Sequence, residues 1–572
     1  MRLVLHGQPA ARGLALGRAH VREPQMHEVR EERIPEGAIE AEIERLHDAL
    51  DTARSELQQM RERLQGALAH ELGEFLDIHQ LILDDPELVL GLDDLIRTAR
   101  FTADYALRLQ RDRLVAVFDA IDDPYMRSRR EDIEHVIGRV WAALHRSPES
   151  TTPGVSGEVL VTDNVAPAEL SQLTERGVVA IITGAGSALS HSAILARSLH
   201  LPLIVGAHEA VAQINEGDAL LVDGHTGEII IEPDAEDLRR FKRLQRENAR
   251  ERRALQKLRD AETVTRDGVE IRLLANAESR EDVHQAYALG ASGIGLYRTE
   301  FLFMQARGAP DEEAQFLVYR DLVMAMRGRP VTLRTLDLGA DKADRAGIAL
   351  SHEPNPALGL RGVRLSLSQP ALFRSQLRAL LRASAYGKVN ILVPMVGFRE
   401  EVRAVRRLIE ACSRELEAEH HAVAKKVALG VMIEVPAAAL ALPSFGREVD
   451  FLSIGTNDLV QYLLAIDRGN DAVAAHSSPL HPAVLRVLRE ILLYGRRRGL
   501  STSVCGEMAG DPVYTRLLLA LGLTEFSLHP NTLLEVRAII RDSDLAQLRA
   551  LGQRLLRARD RAGIERLLKG ST

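Results

Sequence analysis

With 572 residues, 46% apolar and only 4% aromatic, the chain has room for about three or four domains with cores of Leu, Val, Ile and Ala. Its 73 basic and 81 acidic side chains are well mixed and sum to a net charge of −8, which argues against the basic stripe of a nucleic-acid binder. Two cysteines, Cys412 and Cys505, imply no disulfide framework; the apolar run in MRLVLHGQ at the N-terminus is too short for that of a signal peptide, and no apolar run reaches about 18 residues, so a cytoplasmic, multidomain globular protein without a membrane span is expected.

In chain order, GLALGRAHV (13–21) reads as a β-strand. Residues 38–64 then place Ile39, Ile43, Leu46, Leu50, Ala53, Leu57, Met60 and Leu64 at alternating steps of four and three, a coiled-coil-like stripe on one long helix. Helical sequence continues to residue 144, broken by Asp-Asp-Pro at 84–86 and 122–124. The stretch 35–146 is therefore predicted as an all-α hairpin or bundle, either a spacer or a platform for a partner. Short β-like runs follow at 158–163, 177–184, 201–206 and 218–233, the last with a Gly-flanked turn. Residues 1–34 and 147–233 are thus predicted to form one small α/β domain that the helical segment interrupts. Residues 234–262, dense in Arg, Glu and Asp with leucines at helical spacing, read as a solvated linker helix.

From 263 to 572 strand and helix alternate. Candidate strands lie at 271–277, 293–298, 331–339, 391–396, 429–435, 451–455, 502–507 and 525–528, with room for a helix after each. Eight such units predict a (β/α)₈ barrel, whose active site forms where the strands end. At those ends stand Arg298 and Glu300; Arg334, Asp337 and Lys342; Glu434; Thr456, Asn457 and Asp458; and Cys505 and Glu507. Arg361 and Arg364 lie in the long interval after the third strand, and Arg468 follows the sixth. Glu434 and Asp458 end adjacent strands and offer hard oxygen ligands of the kind Mg²⁺ takes while sharing its site with a phosphate. Several arginines at one mouth suit phosphate and carboxylate. Together they point to a small, phosphorylated, anionic substrate. Cys505 reads either as a small buried hydrophobe or as a thiol acid at the mouth.

GAGSALSHSAILARS (184–198) raises a separate question, because Gly184 and Gly186 precede a lone His191 and let backbone approach closely. Ser190 is placed to cap a helix that starts at His191, so a phosphate on that histidine would meet backbone N–H groups at a helix N-terminus. No partner residue stands at zinc-ligand spacing. Arg197 adds charge only if it folds back.

The stretches GIGLYRTEFLF (293–303), RTLDLGADK (334–342), EPNPALGLRGVR (353–364), LLRASAYGK (380–388), GVMIEVPAA (430–438), SIGTNDLVQYLLAIDRGND (453–471), CGEMAGD (505–511) and SHSAILARSLHLPLIVG (190–206) together resemble enzyme I of the phosphoenolpyruvate-dependent sugar phosphotransferase system, over essentially the whole chain. The resemblance implies that phosphoenolpyruvate and Mg²⁺ bind in the barrel. It implies that the phosphoryl group passes to His191 on a swivelling domain, then to a histidine of a small phosphocarrier protein docked on the helical domain. By motif position Glu434 and Asp458 would hold Mg²⁺; Arg298, Arg334, Asn457, Arg468 and Arg361 would bind substrate; and Cys505 would protonate the enolate. The family is dimeric through the barrel. Glu71, Glu74 and Asp77 fall on one helical face as candidates for carrier contact. Three positions depart from the family pattern: Ala188 and Leu189 replace an arginine and a threonine before the active histidine, and Ala166 replaces a threonine before Pro167. They mark a divergent branch and motivate an alternative, a phosphoenolpyruvate sensor whose histidine no longer turns over. A pyruvate phosphate dikinase-like enzyme would need a nucleotide-binding domain, and 35–146 is too short and lacks a Gly-rich phosphate loop.

Overall fold

The computed structural model describes residues 2–22, 31–63, 76, 78–119, 124–145, 156–187, 190–199, 201–305, 308–339, 353, 355–467, 473 and 476–569. It divides into two compact units, residues 1–251 and 252–572. Among the described residues no helix is long and apolar enough to cross a membrane.

The first unit holds an eight-stranded mixed sheet: β1 (Leu3–His6), β2 (Gln8–Ala11), β3 (Leu14–Val21), β4 (Glu158–Thr162), β5 (Ala180–Thr183), β6 (Leu203–Val205), β7 (Ala219–Asp223) and β8 (Glu228–Ile231), in the order β1-β8-β7-β3-β4-β5-β6-β2. β3 to β6 run parallel, as their helical crossovers require, and β7 and β8 form the antiparallel hairpin signalled by the turn at 224–227. β1 and β2, four residues each on either side of Gly7, are two strands that sequence pattern alone did not mark.

Helical sequence between β3 and β4 buries a core of its own. On the helix Ile39–Arg63 the stripe predicted from spacing is the buried one: Ile43, Leu46, Leu50, Ala53 and Leu57 are each at most 5% exposed. Both Asp-Asp-Pro breaks mark helix starts, at Pro86 and Pro124. At the first, Asp85 accepts the Glu87 N–H as cap. Leu64, Glu71, Glu74 and Asp77 lie outside the described residues.

The helix Ala235–Gln256 carries the chain from one unit into the next. Beyond it, Arg537 is buried and donates to the carbonyls of Leu258, Arg259 and Gly290 and to Thr263 Oγ1. Two guanidinium nitrogens thus hold the segment after the linker and the third holds Gly290, which offsets the desolvation of a buried charge.

That second unit is a closed, all-parallel barrel of β9 (Arg272–Ala277), β10 (Ile294–Arg298), β11 (Val331–Arg334), β12 (Val389–Val393), β13 (Ala428–Ile433), β14 (Phe451–Ile454), β15 (Ser501–Val504) and β16 (Glu525–Leu528). β16 pairs with β9 to close it. The strands are almost wholly buried, as a sheet covered on both faces demands. The long interval between β11 and β12 contains the helices Gly362–Ser368 and Pro370–Ala383.

Candidate active site

Most of the residues singled out by sequence meet at the C-terminal mouth of the barrel. Arg334 ends β11 with its side chain only 10% exposed. One nitrogen donates to Glu300 Oε1 at 3.0 Å, and another faces Asp337 Oδ2 at 3.1 Å. Arg361, the residue before the helix Gly362–Ser368, donates to both oxygens of Asp337 at 3.1 Å and lies 3.9 Å from Asp458. Asp337 thus sits between two guanidinium groups. Burial opposes its charge, yet Arg334 and Arg361 hold its carboxyl below the ordinary range. Burial pushes Glu300 the other way, above the ordinary range, despite the Arg334 charge. For Arg334 itself, burial disfavours the cation, and the carboxylates of Glu300, Asp337, Glu434 and Asp458 outweigh it.

Glu434 follows β13 and is 1% exposed. Its Oε1 accepts the Met395 backbone N–H at 2.6 Å, while Oε2 is buried with no hydrogen-bond partner among the described residues. Burial, then the charges of Asp337 and Asp458, push its carboxyl up to about 8. Met395 donates from a left-handed conformation, φ 57°, which non-glycine residues rarely adopt and which is found where a site requires it. Gly455 allows the next strand's end to approach: a Cβ there would stand 2.8 Å from Glu434 Oε2. Asp458 lies one turn into the helix Thr456–Leu464 and is buried. Among the described residues no group of three or more His, Cys, Asp or Glu side chains forms a cage for a metal. The orphaned Glu434 oxygen beside the Asp458 charge nevertheless fits a divalent cation of the Mg²⁺ type, which takes one or two carboxylates and completes its shell with water and substrate oxygens.

Cys505 follows β15, is 3% exposed, and places Sγ 3.5 Å from the Ile454 carbonyl. Burial pushes the thiol up to about 11, with Glu434 adding to the effect, so it is a neutral acid at physiological pH. Asn276 of β9 donates to the Cys505 carbonyl at 2.9 Å and is itself held by Ser527 of β16.

Two expected residues are turned to other partners. Arg298 is ion-paired with Glu278, which follows β9 and carries no motif signal. Asn457 exchanges hydrogen bonds with Glu507, donating to Oε1 at 3.2 Å and accepting the Glu507 N–H at 3.0 Å, which joins the ends of β14 and β15. Arg364 is aimed at Glu401 on the outer helix Arg399–Ala418, 3.6 Å away. Lys342 and Arg468 lie outside the described residues.

In the first unit Ser190 caps the helix His191–Ser198, accepting the Ala193 N–H at 3.3 Å. The loop turns at Gly186, φ 101°, a conformation suited to glycine. Ser192 Oγ donates to the Val165 carbonyl at 2.7 Å and ties this helix to the loop before Pro167. Ala166 occupies the cap position of the helix Pro167–Glu175 and supplies no side-chain oxygen, as its identity dictates. Arg197 donates to the Ala10 carbonyl at 2.9 Å, which ties it to β2. The side chain of His191, and Ala188 and Leu189, lie outside the described residues.

Family models of the PEP-utilising enzymes match in three blocks: the PEP-binding domain over residues 252–545, the N-terminal domain over 6–129 and the mobile domain over 154–227. A phosphoenolpyruvate-protein phosphotransferase of Cupriavidus necator is 44% identical, over 98% of each chain. This chain belongs to the phosphoenolpyruvate-protein phosphotransferase family. Other members of that name are 38% identical in Staphylococcus epidermidis, over 97% of each chain, and 39% identical in Geobacillus stearothermophilus, over 93% of this chain and 92% of the other. In this member of the phosphotransferase family, the block matched by the PEP-binding domain contains the whole barrel-mouth cluster, and the block matched by the mobile domain contains the Ser190-capped helix.

Proposed function

We propose that the protein transfers the phosphoryl group of phosphoenolpyruvate to His191 and from there to a histidine of a small phosphocarrier protein, releasing pyruvate. The observation that carries this reading is the barrel mouth. A buried and a half-buried guanidinium group and a pair of carboxylates, one with an orphaned oxygen, gather at the strand ends of one barrel in a chain of this family. A phosphate and a carboxylate on one small molecule match that arrangement.

In this reading Arg334 and Arg361 hold the anionic groups, and Arg298 turns in from Glu278 when substrate arrives. Asn457 and Arg468 complete the contacts. An imidazole nitrogen of His191 attacks phosphorus, and the bond from phosphorus to the enol oxygen breaks. Cys505 then gives its proton to C3 of the enolate, producing pyruvate, and regains one from water. Glu434 and Asp458 would hold Mg²⁺, which would neutralise phosphate charge and the developing enolate. Phosphoryl transfer needs little else than positioning and charge neutralisation. The family's dimer would form through the barrel, and the helix Ala235–Gln256 would let the His191 domain serve both the barrel and a carrier docked on the helices of 35–146. Two free thiols suit a cytoplasmic, reducing setting.

Isotope exchange tests the first half-reaction without a carrier. Labelled pyruvate should enter phosphoenolpyruvate when protein and Mg²⁺ are present, and chelation of the cation should stop it. No exchange in the presence of Mg²⁺ would refute the proposal.

A further inference from the structure

Beneath the strand ends of the barrel mouth lies a buried polar network. Gln376 interrupts the apolar face of the helix Pro370–Ala383, between Phe373, Leu377 and Leu380, and is 1% exposed. Its Oε1 accepts the Leu336 N–H at 3.0 Å. Its Nε2 donates to Thr299 Oγ1 at 3.1 Å and to the Tyr319 hydroxyl at 3.3 Å. Thr299 in turn donates to the Arg334 carbonyl at 2.7 Å, and Tyr319 donates to Gln315 Oε1 at 3.1 Å. Thr299, Tyr319 and Gln315 are fully buried. A leucine or methionine at 376 would suit this apolar surface, and an amide there is tolerated only because its hydrogen bonds are made.

The network grips two strand ends at once. Thr299 stands between Arg298 and Glu300 after β10; residues 334 and 336 lie on the segment that leads from β11 into Asp337. Glu300 repeats the link one step further out, accepting the Asp337 N–H at 2.8 Å. We propose that Gln376 is a positioning residue for the phosphoryl-transfer site: it sets the spacing of the β10 and β11 ends, and so the aim of Arg334 and Asp337, without touching substrate. The assignment rests on the phosphoenolpyruvate reading of the mouth.

Two variants test it. Gln376→Met keeps the volume and removes every hydrogen bond; exchange kcat should fall by about ten- to a hundredfold with a much smaller change in KM, since misaim weakens the transition state more than the ground state. Gln376→Glu supplies a pH signature. An ionised carboxylate can still accept the Leu336 N–H but has no proton for Thr299 or Tyr319, whose own hydroxyl protons are committed to Arg334 and Gln315. A protonated carboxyl restores one donor. The titratable and charged groups around it are Tyr319 directly and Tyr297, Glu300 and Arg334 beyond, and burial with the Glu300 charge favours protonation. Relative to the parent, Gln376→Glu should therefore fall towards the methionine variant at alkaline pH and recover severalfold as pH falls. If Gln376→Met fails to give a cooperative melt, Gln376→Glu alone decides. A parental kcat in a folded Gln376→Met, or a Gln376→Glu profile parallel to the parent's, overturns the assignment. A parent that shows no exchange overturns the functional reading, and the assignment with it.

Discussion

Replacing Arg334 by methionine is expected to reduce phosphoenolpyruvate-dependent phosphorylation by about a hundred- to a thousandfold and to destabilise the barrel by about 3–5 kcal/mol. The rate effect follows from geometry. Arg334 is held by Glu300 and Asp337 with its side chain 10% exposed, so its fork is aimed before substrate arrives, and among the described residues no other guanidinium makes both contacts. The stability effect has a separate cause. Removing the cation leaves the Glu300 and Asp337 carboxylates, with side-chain exposures of 9% and 2%, without their shared partner. The two effects are separable. Adding Glu300→Gln to the Arg334→Met variant should restore much of the stability, because one buried charge is gone, and none of the rate. Arg334→Lys should recover little activity, since one compact ammonium cannot bridge both acids with fixed geometry. Denaturant unfolding beside initial-rate assays reads both quantities, and a parental rate in Arg334→Met would remove this residue from the site.

Cys505→Ala should lower pyruvate-forming turnover by about a hundred- to ten-thousandfold, the range for loss of a general acid. Phosphoryl transfer itself should persist at a reduced rate in a single turnover, because the enolate can leave and take its proton from water. Run in deuterated water with phosphoenolpyruvate carrying tritium at one defined C3 position, the parent should give a methyl group of one chirality and the alanine variant a racemic one. The thiol's protonation sets the pH window. Burial pushes it up to about 11, so the proton is present across neutral and alkaline pH and is lost only as pH rises towards that value. The parent's rate should therefore show no decline from this group below about pH 10. Facially selective labelling by the alanine variant would assign the proton to another donor.

The barrel was readable because each strand is a short apolar run ending in a polar cluster, a pattern that a parallel sheet covered on both faces produces. The long helix declared itself through spacing, and Ser190 through its place before a helical run. What escaped has a common physical origin. Glu278, the Met395 N–H, Tyr462 and Gln376 act through partners distant in sequence: Tyr462 accepts from Arg361 at 3.2 Å, across 101 positions, and the Glu434–Met395 bond spans 39. One signal was available, since Gln376 interrupts an otherwise apolar helical face. Side-chain aim was not legible either: Arg298, Asn457 and Arg364 stand at mouth-proximal positions, yet each is turned to a carboxylate neighbour.

The central claim is covalent chemistry at His191, and one measurement addresses it directly. Purified protein is mixed with phosphoenolpyruvate and Mg²⁺ at neutral to alkaline pH, where a phosphohistidine survives, and its intact mass is recorded beside that of His191→Ala. The account predicts a gain of one phosphoryl group in the parent and none in the variant. No gain in a parent that still binds phosphoenolpyruvate would contradict it and leave a sensor whose histidine is silent.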